Sequence, residues 1–281
     1  MSLLTINKLT ESVGAEVVGV DPDRLVNDDS LADAVLDALE ENGVLVFPNL
    51  HLDPEAQVAF CTRLGEVDHS SDGHHPVAGI YPITLDKSKN ASAAYLRATF
   101  DWHIDGCTPT GDECPQKATV LSAVQVAERG GETEFANSYA AYEAFSDEEK
   151  ARFAKLRVVH SLEASQSRVN PDPSAEQLRR WRSRPTHEHP LVWTHRSGRR
   201  SLVLGASAHY VVGMDRDEGQ ALLADLLDRA TQPHLVYSHR WSVGDTVIWD
   251  NNGVLHRAVP YDPDSPREML RTTVLGDEPI Q

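Results

Sequence analysis

In the run Phe100-Asp101-Trp102-His103-Ile104-Asp105-Gly106, His103 and Asp105 stand two residues apart among aromatic and β-branched neighbours. Such neighbours favour an extended strand over a helix. On a strand, residues i and i+2 point to one face, with Cα atoms roughly 6.6 Å apart. An imidazole and a carboxylate at that spacing can converge on one metal ion, each at about 2.0–2.2 Å. On a helix the pair would lie about 200° apart and could not. A surface strand also carries His and Asp by chance, so the pair needs a third partner. The stretch Trp249-Asp250-Asn251-Asn252-Gly253-Val254-Leu255-His256 offers one in His256. Two imidazoles and one carboxylate leave three positions open on an octahedral metal.

A second set of residues suggests an anion beside that metal. Pro266 to Val274 alternates as a strand, so Arg267, Met269, Arg271 and Thr273 share one face and Leu270, Thr272 and Val274 the other. If the first face is interior, two guanidinium groups are buried together, at a cost of several kcal/mol per uncompensated ion. A bound carboxylate is the natural compensation, because Arg grips it in bidentate fashion. Two other readings stand: a solvent-facing strand, or pairing with the plentiful protein carboxylates.

The elements that must position these residues follow in chain order. Leu4 to Val20 reads as two short strands around Gly14. Asp28-Asp29-Ser30 caps a helix whose apolar face is Leu31, Val35, Leu36 and Leu39, ending at Gly43. Val44–Phe47 is a buried strand, and Asp53-Pro54 opens a helix that Gly65 closes. Residues 66–94 are polar and lack periodicity, which predicts a long loop of the kind that carries function. Its His69, His74 and His75, followed by Tyr81, are read as solvated surface residues or as a substrate-pocket wall. Ala118 to Val126 is a strand, Glu128-Arg129-Gly130-Gly131 a turn, and Thr133-Glu134-Phe135 the returning strand. Ser146 and Glu149 form a capping box, and Val158 to Leu162 reads as a strand. Residues 165–190, with four prolines and Arg179, Arg180, Arg182 and Arg184 around Trp181, read as a solvated insertion or an active-site lid. Strands at 191–193, 201–204 and 208–212, a helix from Asp215, and strands at 236–241, 245–249 and 267–275 complete the chain. No linker or repeat divides residues 1–281, so one mainly β domain with helical insertions, a sandwich or barrel, is expected.

Asp and Glu number 43 against 26 Lys and Arg, a formal charge of −17. That balance disfavours nucleic acid and anionic membrane as partners. Cys61, Cys107 and Cys114 are odd in number and form no C-x-x-C pair, which suggests a reducing compartment. The reading preferred for Cys107 and Cys114 is buried thiols beside the HxD strand, with a ligand or redox role as the alternative. No apolar run approaches 18 residues, and no charged-then-apolar leader opens the chain, so a cytoplasmic protein is expected.

Trp102-His103-Ile104-Asp105, Gly130-Gly131-Glu132-Thr133-Glu134-Phe135, Trp249-Asp250-Asn251 and His256 ahead of Arg267 resemble the taurine dioxygenase/dichlorophenoxyacetate dioxygenase (TauD/TfdA) family. The likeness runs from about residue 95 to the C-terminus and more loosely over the N-terminal third. Thr133 to Ala136, Ala230-Thr231-Gln232-Pro233 and Arg267 to Val274 are nearest the chlorophenoxyacetate branch. The resemblance implies a double-stranded β-helix (a cupin-like jelly roll), Fe(II), 2-oxoglutarate as cosubstrate and O2. It implies His103, Asp105 and His256 as iron ligands, with Arg267 and Thr133 on the distal carboxylate of 2-oxoglutarate. Arg271 is implied to grip a sulfonate or carboxylate of a small anionic substrate. Asp105 sets the chain apart from related halogenases, in which a small residue replaces the carboxylate. Residues 66–94 depart from the family pattern, so its remaining substrate contacts are not carried over. Family members imply a homodimer or homotetramer.

The reaction implied is decarboxylation of 2-oxoglutarate to succinate and CO2 coupled to C–H hydroxylation, with C–O or C–S cleavage where the hydroxylated carbon bears a heteroatom. Desaturation or epimerisation at the same site is an alternative outcome. A zinc hydrolase or isomerase on the same three ligands and a non-enzymatic small-acid-binding jelly roll are the alternative classes.

Overall fold

Thr5–Lys8 (β1) and Ala15–Val18 (β2) form an antiparallel hairpin in the computed structural model, which describes residues 4–69, 75–109 and 114–281. Pro22–Asn27 (α1) follows, and Asp28 caps Asp29–Asn42 (α2) by accepting from the Ser30 amide. Val44–Phe47 (β3) is wholly buried, and Asp53 with Pro54 at the first position starts Pro54–Leu64 (α3). Leu31, Val35 and Leu39 of α2 and Phe60, Cys61 and Leu64 of α3 pack with Leu45, Phe47, Val120, Ile248 and Val274. These two helices therefore cover the outer face of the main sheet.

The segment 66–94, expected as one long ordered loop, contains regular structure. Among its described residues it holds Tyr81–Ile83 (β4), which pairs with the C-terminal strand, and at its end Ala93–Leu96 (α4) begins. Tertiary pairing supplies what local periodicity did not. Ala118–Gln125 (β5) lies in the main sheet, but Thr133–Asn137 (β6) does not return beside it. The Gly130-Gly131 turn instead carries the chain across to a second sheet, so the expected hairpin is a crossover between layers. Ser138–Glu143 (α5) and the capping-box helix Asp147–Phe153 (α6) follow.

Arg157–His160 (β7) and Leu162–Val169 (α7) lead into the 165–190 segment, whose low periodicity conceals Ala175–Arg182 (α8) and His187–Pro190 (β8). Ser174 and Gln177 form a second capping box, and Trp181 buries the inner face of α8. Val192–Thr194 (β9), Arg200–Leu202 (β10), Ala208–Val211 (β11) and Arg216–Ala230 (α9) lead to Val236–His239 (β12), Thr246–Asp250 (β13), Val254–Ala258 (β14) and Glu268–Val274 (β15). The main sheet runs β1-β2-β3-β13-β5-β15-β4, and the second sheet β12-β6-β14. Leu121, Ala123, Val247, Trp249 and Met269 of the first meet Phe135 and Val254 of the second, with Phe135 and Trp249 rings 5.4 Å apart. A third sheet, β11-β7-β8, belongs to the 157–211 region. Among the described residues no helix is long and apolar enough to cross a membrane.

Asp250 ends β13 inside this framework. Its Oδ2 accepts from the Tyr139 hydroxyl at 3.2 Å and its Oδ1 from the Asn252 amide at 3.0 Å. Burial nonetheless pushes its carboxyl up to about 6. A folded-state pKa above the unfolded one means that stability is greatest at low pH and falls as pH rises through about 6. Asp250→Asn, which does not titrate, is therefore expected to melt above wild type at pH 8, with the gap closing towards pH 4. The pKa difference bounds the effect at roughly 3 kcal/mol, readable by thermal melts across that range.

Candidate metal and anion site

Strand alternation decides which side chains face the gap between the two sheets. Thr119 and Leu121 of β5, Trp249 of β13 and Arg271 of β15 turn inwards, while Val120, Ile248 and Val274 turn to the helices. Thr133 and Phe135 of β6 and His256 of β14 face them, and Arg257, next along, borders the same cavity while pairing with Glu134. A small cavity of about 80 Å³ is lined by His103, Asp105, His256, Thr133, Arg267 and Arg271 together.

The expected HxD strand is shortened to a single bridge. After a 3-10 turn over Arg97–Phe100, the backbone extends at Asp101 and meets β14 only at His103 and His256. The His103 amide donates to the His256 carbonyl at 3.0 Å, and the His256 amide to the His103 carbonyl at 2.9 Å. Those two bonds set the imidazoles side by side, with centroids 4.1 Å apart. Gly106 then turns the chain at φ 84°, where an added Cβ would lie 2.8 Å from Pro115 Cα and the Gln116 amide nitrogen.

Asp105 spans both rings. Its Oδ1 is 3.8 Å from His103 Nε2 and its Oδ2 is 3.7 Å from His256 Nε2. Those gaps are too long for hydrogen bonds. All three donor atoms lie within 4.8 Å of one another, a spacing that one shared cation fits. His103 Nδ1–H donates to the Asp101 carbonyl at 2.9 Å, which leaves Nε2 with its lone pair towards the gap. Burial holds the His256 imidazole down near 3, which keeps its ring free to donate a lone pair. Burial pushes the Asp105 carboxyl up, yet its pKa lies below the ordinary carboxylate value, with the Arg271 charge and the Thr119 hydroxyl both favouring the ionised form. Two imidazoles and an anionic oxygen make a donor set that suits a divalent cation.

Arg267 is 2% exposed. Its Nε donates to the Gly131 carbonyl at 3.2 Å, and its guanidinium lies 4.9 Å from the Tyr261 ring centre. Gly131, at φ 77°, has no room for a side chain, because a Cβ would sit 3.0 Å from Arg267 Cδ and Nε. Burial pulls the Arg267 pKa down, as expected of a cation short of a counter-ion. The Thr133 hydroxyl accepts from Trp241 Nε1 at 3.0 Å, so its own hydrogen is left to donate. Arg271 lies over Tyr81 at 5.0 Å, and its buried Nε has no partner. Among the described residues neither arginine forms an ion pair, and neither belongs to a solvent-facing strand.

The family model for "Taurine catabolism dioxygenase TauD, TfdA family" matches residues 5–273. The chain belongs to this family. Across 242 residues it is 34% identical to the (S)-phenoxypropionate/alpha-ketoglutarate-dioxygenase of Sphingobium herbicidovorans, covering 84% of this chain and 83% of that protein. It is 36% identical over 253 residues to the alpha-ketoglutarate-dependent 2,4-dichlorophenoxyacetate dioxygenase of Cupriavidus pinatubonensis, covering 85% and 86%. The crystal structure of AAD-2 in complex with Mn(II) and N-oxalylglycine, a 2-oxoglutarate analogue, superposes with a TM-score of 0.83 at 32% identity over 99% of both chains. The TauD/TfdA resemblance read from the sequence is thus a membership, and the enzyme class is that of an iron- and 2-oxoglutarate-dependent dioxygenase.

Other residues fall where pattern reading had not put them. Thr119 donates to Asp105 Oδ2 at 3.2 Å and accepts from Asn251 Nδ2 at 2.9 Å, a chain of contacts behind the carboxylate. Trp241 and Tyr261 were equally unread, because each reaches the site across a sheet or a loop. His69 is exposed, His75 accepts from the Val77 amide, and neither lines the cavity; His74 lies outside the described residues. The Cys107 thiol is buried in the core and Cys114 is partly exposed. Thr119→Val, which deletes the hydroxyl behind Asp105, is expected to weaken divalent-metal affinity about tenfold in a Mn(II) titration followed by EPR.

Proposed function

We propose that His103, Asp105 and His256 hold Fe(II), that Arg267 and Thr133 bind the distal carboxylate of 2-oxoglutarate, and that Arg271 binds the anionic group of a small organic substrate. When bound there, Fe(II) supplies the dioxygen activation that couples decarboxylation of 2-oxoglutarate, to succinate and CO2, with hydroxylation of a substrate C–H bond. The observation that carries the reading is the pair of guanidinium groups without carboxylate ion-pair partners, sharing one cavity with two imidazoles and a carboxylate. An enclosed cation without a counter-ion is costly, and a bound dicarboxylate relieves that cost at one arginine while the substrate relieves it at the other.

The chain's own part is positioning and exclusion of water. Arg267, braced by Gly131 and Tyr261, orients the cosubstrate along the cavity, and the free Thr133 hydrogen adds a directed bond. Ile83, Leu96 and Leu121 give the cavity apolar walls, which suit a substrate with an apolar body and an anionic end. Relatives whose names record phenoxypropionate and 2,4-dichlorophenoxyacetate as substrates support an aryloxy acid as the first class to test. A further cavity of about 1340 Å³ is lined by Tyr95 and Arg97, the chain neighbours of Leu96, on one side and by Gln166, Arg180 and Trp181 on the other. We read it as the entrance, with 66–94 and 165–190 forming its rims. The main sheet packed on β12-β6-β14 is read as the double-stranded β-helix of one domain spanning 1–281.

Succinate release with Fe(II), ascorbate and a panel of aryloxy acids, sulfonates and sulfate esters tests the proposal. Asp105→Ala is expected to lose substrate-dependent succinate formation by at least a thousandfold; undiminished turnover would overturn the ligand set. Oxygen consumption coupled to 2-oxoglutarate separates this reading from a zinc hydrolase or isomerase. Arg271→Lys keeps the charge but loses the planar fork, and is expected to raise the substrate KM about tenfold with little change in the 2-oxoglutarate KM. Equal effects on both would mean that the two arginines are wrongly assigned.

A further inference from the structure

β8 has the sequence His187-Glu188-His189-Pro190, so its two histidines share one face while Glu188 is exposed on the other. The histidine face does not turn to solvent. His187 Nε2 lies 2.8 Å from the Pro109 carbonyl and His189 Nε2 lies 2.9 Å from the Cys107 carbonyl. A carbonyl only accepts, so both imidazoles donate through Nε2–H. Two side chains spaced i, i+2 thus meet two carbonyls spaced i, i+2, in the manner of a β-ladder whose donors are imidazoles. The rings are nearly parallel, at 6.0 Å and 8°. His160 of β7 backs His189 at 5.4 Å and is itself held by Ser207.

The segment so gripped is the one that leaves Asp105. Among the described residues it has no strand neighbour: the His103–His256 bridge and the bond from the Ala206 amide to the Trp102 carbonyl lie on its N-terminal side. Gly106, in the left-handed region, links Asp105 directly to Cys107, so the position of the gripped backbone is passed to the carboxylate through one residue. Among the described residues, the Cys107 and Pro109 carbonyls receive no backbone donor.

We infer that His187 and His189 are positioning residues, which hold Asp105 in place by pinning the backbone of 107–109 to the β11-β7-β8 sheet. This gives the 157–211 region a second task besides bordering the entrance. The inference rests on Asp105 being a metal ligand. If that reading is wrong, Asp105→Ala keeps its Mn(II) affinity; if only this inference is wrong, Asp105→Ala loses affinity while the histidine variants do not.

The test is Mn(II) affinity, by EPR, of the full chain carrying His187→Leu, His189→Leu, His187→Gln or His189→Gln. Leucine fills space without a donor, whereas glutamine restores an N–H near the position of Nε2. The leucine variants are expected to raise the Mn(II) Kd at least tenfold and the glutamine variants to stay within about threefold of wild type. Amide exchange of the metal-free protein over 103–109 is expected to quicken in the leucine variants alone. Wild-type affinity in a folded leucine variant overturns the inference. So does equal loss in leucine and glutamine variants, which would assign the effect to ring packing. His187 is only half-buried, so its pair of variants decides by the same criteria should His189→Leu fail to fold.

Discussion

One pair of backbone hydrogen bonds, between His103 and His256, joins the two parts of the chain on which the proposed chemistry depends. The partners are 153 positions apart, and their bridge is isolated from any longer ladder. An isolated bridge is weak by itself, so the surrounding structure must hold it. Ala206 secures the residue before it, Thr119 and Asn251 stand behind Asp105, and β6 fixes β14 in register through Arg257 and Glu134. The geometry is thus over-determined around a contact that would not survive in a short peptide.

Charge imposes the second constraint. A chain with a formal charge of −17 has ample carboxylates to pair every arginine, yet Arg267 and Arg271 lack such partners among the described residues. The fold spends stability to keep them so. Gly131 yields its side chain to Arg267, Tyr261 offers a ring face, and Trp241 occupies the acceptor side of Thr133 so that its hydrogen is left over. Each choice removes a local competitor for the anion. Burial of an unpaired cation is tolerable only where an anion completes the site, which is why the arrangement reads as a receptor and not as core packing.

Several regions that looked irregular owe their order to distant partners. β4 is held by β15, nearly two hundred residues away, and its own three residues carry no readable period. α8 is short and mostly polar, with Trp181 its one buried side chain, so its helix rests on a capping box and that ring. The step from β5 to β6 read as a hairpin because turn chemistry is local. That the two strands part into different sheets depends on packing that no turn signal encodes.

The sequence by itself determined the chemistry-bearing residue types, their spacing and the capped, amphipathic elements: α2, α3, α6, α9 and the buried runs β3, β5 and β13 stand close to where periodicity and capping placed them. Strand alternation also suggested that Arg267 and Arg271 share a face, and both line the cavity, although β15 begins only at Glu268 and Arg267 reaches it from the preceding loop. Only the tertiary structure decided that the HxD run is a single bridge and not a strand, that Thr119, Asn251, Trp241 and Tyr261 complete the site, and that His187 and His189 face the segment after Asp105. The physical reason is the range of the interactions. Capping, alternation and helical period act over a few residues and leave a trace in the local sequence. A hydroxyl behind a carboxylate or an imidazole under a carbonyl depends on two segments meeting in space, and neither segment carries a sign of the other.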